Sequence, residues 1–174
     1  EKIKHKVKFF DYKLSIPDYY NFCSKFKSYE SEQDDYRLNA FRFAYKVFAM
    51  KKALSLISSD FMIWLDADIK TAKPITCKLL NKLVDKDKYA SYLGRSHVIK
   101  ENVRYTETGF IIFNTRHQLH KLFWERMDEM YTGGKIFNLD SWTDSHAFDA
   151  VRKNLENEKS CSNVNISDFG IKDV

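Results

Sequence analysis

The chain has 174 residues, of which 44% are hydrophobic, and this is the size and apolar content of one globular domain with a sizeable core. Its formal net charge of +5 would attract anions, but the lysines are scattered along the chain. These features disfavour a nucleic-acid-binding protein and favour a solvated basic surface or a small anionic substrate.

Hydropathy and cysteine content exclude two further classes of protein. No apolar run approaches the roughly 18 residues of a membrane-spanning helix, and the first residues lack the apolar centre of a signal peptide. We therefore expect a cytoplasmic protein without a transmembrane segment. The three cysteines are far apart and include no CxxC pair, so neither structural disulfides nor a zinc cage is expected.

Alternating strand and helix patterns predict a single α/β domain over residues 1–174, with a mixed, mainly parallel sheet flanked by helices. The elements expected in the first half are a strand at 3–12, an irregular connection at 15–36, a helix from a cap at Asp34 or Asp35 to about Ser58, and a strand at Phe61–Leu65. Those expected in the second half are a helix at 75–84, a strand at 89–93, a loop at 94–104, a strand at 109–114, helices at 118–131 and 142–154, and a weak strand at 164–166.

The strand at Phe61–Leu65 consists of five consecutive apolar residues and is followed by Asp66 and Asp68. Such a run is typical of a strand covered on both faces, and ligands of α/β sheets bind beyond the carboxyl ends of the strands. Side chains two residues apart in extended chain point the same way, so both carboxylates are expected to face one hard cation, Mn²⁺ or Mg²⁺. The alternative is that one of them only caps the following turn.

Residues 64–69, Trp-Leu-Asp-Ala-Asp-Ile, with Pro74 and Ile75 after them, resemble the DxD region of GT-A glycosyltransferases. Three further segments agree in their order along the chain: Arg-Phe-Ala-Tyr-Lys at 42–46, Glu-Thr-Gly-Phe at 107–110 and Trp-Thr-Asp-Ser at 142–145. The resemblance implies a Rossmann-like GT-A domain. Little chain precedes the first expected strand, so the domain is expected to be reduced at its N-terminus, or the sequence to begin late.

The function that the resemblance implies is a metal-dependent glycosyltransferase of the hexosyltransferase class. It would transfer a sugar from a nucleotide diphosphate donor, a UDP-sugar, to an acceptor hydroxyl, with Mn²⁺ or Mg²⁺ bridging the departing diphosphate. Asp68 would coordinate the ion directly, Asp66 would bind the ion or the ribose hydroxyls of the donor, and His146 would supply a third ligand.

Five other residues have expected roles in this reading. Arg42 and Lys46 are one helical turn apart and would bind the diphosphate, unless they belong to a solvated basic face. Asp144 and Glu107 are the candidate catalytic carboxylates, and Asp144 would be the general base of an inverting enzyme, unless it only caps a helix. Gly109 would let the backbone approach the sugar closely.

Two other functions are compatible with the sequence. An apolar strand ending in DxD also opens the haloacid dehalogenase-like phosphatases, in which the first Asp is the nucleophile, but Lys70 stands where that pattern has Thr or Val. A domain that has lost turnover would instead be a nucleotide- or sugar-binding module, with Tyr92, Tyr105 and Trp142 available to stack on sugar rings.

Overall fold

The computed structural model describes residues 11–30, 35–71, 73–95 and 105–169. The helices are α1 (Tyr12–Ser15), α2 (Pro17–Lys25), α3 (Ala40–Leu54), α4 (Cys77–Leu83), α5 (His120–Thr132) and α6 (Asp144–Lys159). The strands are β1 (Phe61–Leu65), β2 (Ala90–Leu93), β3 (Glu107–Asn114) and β4 (Val164–Asn165), and short 3-10 turns lie at Lys27–Tyr29, Tyr36–Leu38, Lys135–Asn138 and Ile166–Phe169.

The four strands form one open sheet in the order β1-β3-β2-β4. Strand β3 runs antiparallel to both of its neighbours, with Leu65 of β1 opposite Phe110 and Ala90 of β2 opposite Phe113. Strand β4 pairs with β2 in parallel, with Val164 next to Ser91. The α/β class is thus confirmed and the sheet is mixed. Within the described residues the sheet is not mainly parallel as expected, because two of the three strand pairs found there are antiparallel.

The two faces of the sheet are covered to different extents. Ile111 and Phe113 of β3 point to a large aromatic core formed with α2, α3, α5 and α6, in which Phe22, Phe123 and Tyr131 are almost fully buried. The opposite face, reached by Ile112 because side chains alternate along a strand, has a smaller cluster. That cluster consists of Leu83, Leu93, Ile112 and Ile166, with Phe61, Val84, Phe110 and Val164 at its margin.

Strand β1 has the predicted bounds but not the predicted burial. Ile63 and Leu65 are 40% and 44% exposed, so the expectation of a strand covered on both faces is wrong. The physical reason is that the smaller apolar cluster, to which α4 contributes Leu83, reaches Phe61 but does not extend to Ile63 and Leu65. Strand β1 is also an edge strand of the sheet formed by the described residues.

Helix α2 and the start of α3 differ from the sequence-based expectation. A helix, α2, begins at Pro17 where an irregular connection is expected, and proline at the first helical turn is favourable because its fixed φ suits a helix. The long helix begins at Ala40, since Asn39 accepts the amide of Arg42 at 3.1 Å, while Asp35 caps only the preceding 3-10 turn.

The other expected helices and strands are present in the described part of the chain, although α3 ends at Leu54 rather than near Ser58. The expected elements at 75–84, 89–93, 109–114, 118–131 and 164–166 correspond to α4, β2, β3, α5 and β4, and α6 extends five residues beyond the expected end at 154. Most of the expected strand at 3–12 and of the loop at 94–104 lies outside the described residues, and Tyr12 begins a helical turn rather than ending a strand. No helix within the described ranges is long and apolar enough to cross a membrane.

Candidate functional site

Lys46 lies at the centre of a polar cluster at the carboxyl end of β1. Its position on α3 directs the ammonium toward the sheet, where Nζ is 2.7 Å from Asp66 Oδ2 and 2.9 Å from Asp144 Oδ2. Nζ also lies 3.3 Å from the hydroxyl oxygen of Thr108 on β3. The lysine side chain is only 15% exposed, so two carboxylates share this single cation in a partly desolvated place.

Asp66 is fixed by the backbone as well as by its side chain. Its amide donates to the carbonyl of Gly109 at 2.9 Å, which continues the pairing of β1 with β3 for one residue beyond the strand. Its Oδ1 accepts the indole N–H of Trp64 at 2.7 Å, while Oδ2 accepts from Lys46. Each carboxylate oxygen therefore already holds one donor, and each keeps one lone pair for a ligand.

Asp144 is the first residue of α6 and is 5% exposed. Its Oδ2 accepts the hydroxyl of Thr108 at 2.6 Å, and that hydroxyl oxygen also lies 3.1 Å from Ser145 Oγ. A carboxylate in the first turn of a helix is stabilised by the positive end of the helix dipole. The cap itself is Thr143, whose hydroxyl accepts the amide of His146, so Asp144 is not the capping residue.

Gly109 lets three side chains pack closely over its backbone. A Cβ built on Gly109 would lie 3.1 Å from Glu107 Oε1, 3.2 Å from Ile69 Cδ1 and 3.4 Å from Asp66 Oδ2, which is a tight fit. Glu107 is held in place because Oε1 accepts the amide of Gly109 at 2.9 Å and Oε2 forms an ion pair with Arg95. The missing side chain thus lets Glu107 and Asp66 lie close to the backbone of Gly109.

Arg95, which pairs with Glu107, also belongs to a stack of three side chains. The ring of Tyr105 lies 5.3 Å from the ring of His146 in a stacked arrangement, and the Arg95 guanidinium lies 5.4 Å from the Tyr105 ring centre. Burial lowers the pKa of His146, and its Nδ1 is 2.7 Å from the hydroxyl of Thr143. Arg95 and His146 both contact the Tyr105 ring, so sugar stacking on Tyr105 would compete with them.

The structure brings together five of the eight site residues expected from the sequence: Lys46, Asp66, Glu107, Gly109 and Asp144. Asp68 is exposed two residues beyond Asp66, and Arg42 is exposed one turn before Lys46. His146 is on the first turn of α6, in contact with Thr143 and Tyr105.

The fit of these residues to a divalent cation depends on Asp66 and Asp68. Within the described part of the chain, no three His, Cys, Asp or Glu side chains are gathered into a ready metal cage. The remaining lone pairs of Asp66 and the exposed carboxylate of Asp68 nevertheless provide the hard oxygen donors that Mn²⁺ or Mg²⁺ prefers. A cation bound here would have to complete its coordination with water or with oxygens of the substrate.

Sequence reasoning did not identify Thr108, Trp64 or Arg95 as parts of the site. Thr108 is a buried hydroxyl next to Glu107 at the polar start of β3, and polar residues at the start of an apolar strand are a signal that the sequence does contain. Trp64 precedes Asp66 by two residues, so its indole N–H lies on the same side of the chain. Arg95 gives no such signal, because only the fold brings it to Glu107.

No protein-family model matches the chain, and no match is found among curated proteins or solved structures. The class of this site therefore depends on its own geometry and on the sequence pattern.

Proposed function

We propose that the chain is a metal-dependent glycosyltransferase of the GT-A, Rossmann-like type, which transfers a sugar from a UDP-sugar to an acceptor hydroxyl. The observation that carries the proposal is the convergence of Lys46, Asp66 and Asp144 with Glu107 and Gly109 at the carboxyl end of β1. These residues come from four segments of the resemblance that are far apart in the chain. A chance resemblance gives no reason for all four to meet at one place.

In the proposed reaction, the bond between the sugar and the diphosphate breaks while the acceptor oxygen bonds to the sugar carbon. Asp68 and the free lone pairs of Asp66 would hold Mn²⁺ or Mg²⁺, which supplies positive charge for the leaving diphosphate. Arg42, exposed one turn from Lys46, would add a second cation at the diphosphate. His146 as a third metal ligand stays a prediction.

The surroundings of Asp144 favour a positioning role over general-base catalysis. A general base must reach the acceptor hydroxyl, but Asp144 is buried and its Oδ2 is already bound to Thr108 and Lys46. Glu107 is more accessible, with 28% of its side chain exposed, but it is paired with Arg95. In this proposal Asp144 and Lys46 hold the end of β1 against the start of α6, and Glu107 faces the acceptor side.

The first prediction tests this function through Asp68. Asp68→Ala should lower the Mn²⁺-dependent affinity for UDP by about 10-fold or more, because a metal ligand is lost while the fold does not depend on this exposed side chain. Calorimetric titration of UDP with and without Mn²⁺ measures the effect. Asp140→Ala, which removes another exposed aspartate, is the control and should leave the affinity unchanged.

The same titration can contradict the proposal. If the wild-type chain binds UDP no better with Mn²⁺ than without it, the glycosyltransferase assignment fails. A phosphatase would instead hydrolyse p-nitrophenyl phosphate in the presence of Mg²⁺, and a binding module would bind a UDP-sugar without ever releasing UDP.

The cytoplasmic location stays a prediction that cell fractionation of the full-length protein tests.

A further inference from the structure

We infer that Lys46 is a resident counter-ion that keeps a divalent cation from binding firmly to Asp66 until an anionic diphosphate is present. The inference deepens the proposed function, and its part about the diphosphate depends on that function. Its part about Lys46 and the cation does not, because it follows from the contacts of the lysine alone.

The Lys46 ammonium is held between two carboxylates. The Lys46 ammonium contacts Oδ2 of both Asp66 and Asp144, at 2.7 and 2.9 Å, and its side chain is 15% exposed. The ammonium therefore already occupies a position where a cation would be attracted by two carboxylates. The hydroxyl of Thr108 lies 3.3 Å away and helps to fix it there.

The Lys46 ammonium would repel a divalent ion bound to the same carboxylate. A divalent ion that takes a free lone pair of Asp66 shares that carboxylate with the ammonium, and two cations on one carboxylate repel each other. The repulsion is screened less here than at an exposed site, because the lysine is largely buried. The ion alone should thus bind weakly, although oxygen donors of the preferred type are present.

A diphosphate would remove the repulsion between the two cations. Its negative charges would offset both the divalent ion and the ammonium, so the ion and the diphosphate should bind better together than apart. Such coupling is reciprocal, because each ligand raises the affinity for the other by the same factor. Lys46 would thereby prevent the site from filling with metal when no donor substrate is bound.

The same helix provides a matched control. Lys51 also lies between two carboxylates, with Nζ 3.3 Å from Asp18 Oδ2 and 2.5 Å from Asp128 Oδ1. Its side chain is 38% exposed, and its two ion pairs within the described residues involve neither Asp66 nor Asp144. Lys51→Met therefore removes a lysine with the same kind of pairing from α3 without changing the site.

The experiment measures Mn²⁺ binding by calorimetry in the absence of nucleotide. Lys46→Met should bind Mn²⁺ about 10-fold more tightly than the wild type, and the further increase caused by UDP should be smaller than in the wild type. Lys46→Arg, which keeps the positive charge, and Lys51→Met should both bind Mn²⁺ as the wild type does. A Lys46→Met chain that is folded by circular dichroism but has wild-type Mn²⁺ affinity overturns the inference.

A second variant covers the case in which Lys46→Met does not fold. K46M combined with D144N removes the buried carboxylate that would lose its partner, and leaves Asp66 without the ammonium. This double variant should also bind Mn²⁺ more tightly, and wild-type affinity in it counts against the inference. If Mn²⁺ binding tightens but UDP never responds to Mn²⁺, the counter-ion role stands and the proposed function fails.

Discussion

At the scale of single residues, Asp144 shows how burial changes the expected role of a carboxylate. Its position at the start of a helix is compatible with a cap, a general base or a structural anchor. Thr143 is the capping residue of α6, and Asp144 contacts Thr108 and Lys46 with only 5% of its surface exposed. A carboxylate in such a place is held by its partners and is costly to disturb, because a buried charge or donor loses its compensation.

The second prediction follows from these contacts. Asp144→Asn should lower the free energy of unfolding by about 1–3 kcal/mol, because the charge-assisted bonds to Thr108 and Lys46 are weakened. Urea unfolding followed by circular dichroism measures the loss of unfolding free energy. Asp140→Asn, at an exposed aspartate shortly before α6, is the control. An unchanged unfolding free energy together with a loss of turnover on the order of 10²–10⁴-fold would instead identify Asp144 as a general base.

At the scale of elements, α6 connects to the sheet through a second buried ion pair. Arg152 contacts Asp149 at 2.9 Å and Glu156 at 2.6 Å, and its guanidinium lies 4.2 Å from the ring of Tyr92 on β2. Asp149 in turn accepts the amide and the hydroxyl of Thr106, the residue before β3. Helix α6 is thereby tied to the beginning of the strand that carries Glu107 and Gly109.

The third prediction tests this connection. Arg152→Met should lower the free energy of unfolding by about 3 kcal/mol, because Asp149 would remain buried with only the half-exposed Lys153, 3.5 Å away, as a cationic partner. Arg126→Met is the matched control, since Arg126 pairs with the half-exposed Glu158 and should cost about 1 kcal/mol or less. Thermal or urea unfolding gives the loss of unfolding free energy in each variant. Equal losses in the two would contradict the importance of the buried pair.

At the scale of the whole molecule, two half-buried histidines make stability depend on pH. Burial lowers the pKa of His120 and of His146 from the ordinary value of 6.5, and His117 adds to the effect on His120. The fold therefore favours the neutral rings. Below about pH 6.5 the unfolded chain binds these protons before the folded chain does, so stability falls as the pH falls through this range.

The fourth prediction is a measurable slope. The free energy of unfolding should decrease between pH 7.5 and pH 5.5, and the decrease should be smaller in His120→Gln, which cannot take up a proton. Urea unfolding at a series of pH values gives both curves. A His120→Gln curve parallel to that of the wild type would show that this ring does not contribute.

Local features that depend on neighbouring residues were predictable from the sequence. The bounds of β1 follow from an apolar run that ends at Asp66, and the other described strands and most helices lie close to their expected positions. The start of α3 was not predictable with the same accuracy, because Asp35 and Asn39 are both good capping residues. The choice between them depends on how the preceding 3-10 turn packs.

By itself, the sequence determined which segments are strands and helices and which residue types are available for a site, because periodicity and capping act over a few residues. Only the tertiary structure decided the antiparallel pairing of β1 with β3, the exposure of Ile63 and Leu65, and the meeting of Lys46 with Asp66 and Asp144. Strand direction, burial and long-range ion pairs depend on how distant segments pack. The pattern within any one segment is the same whichever partner it meets.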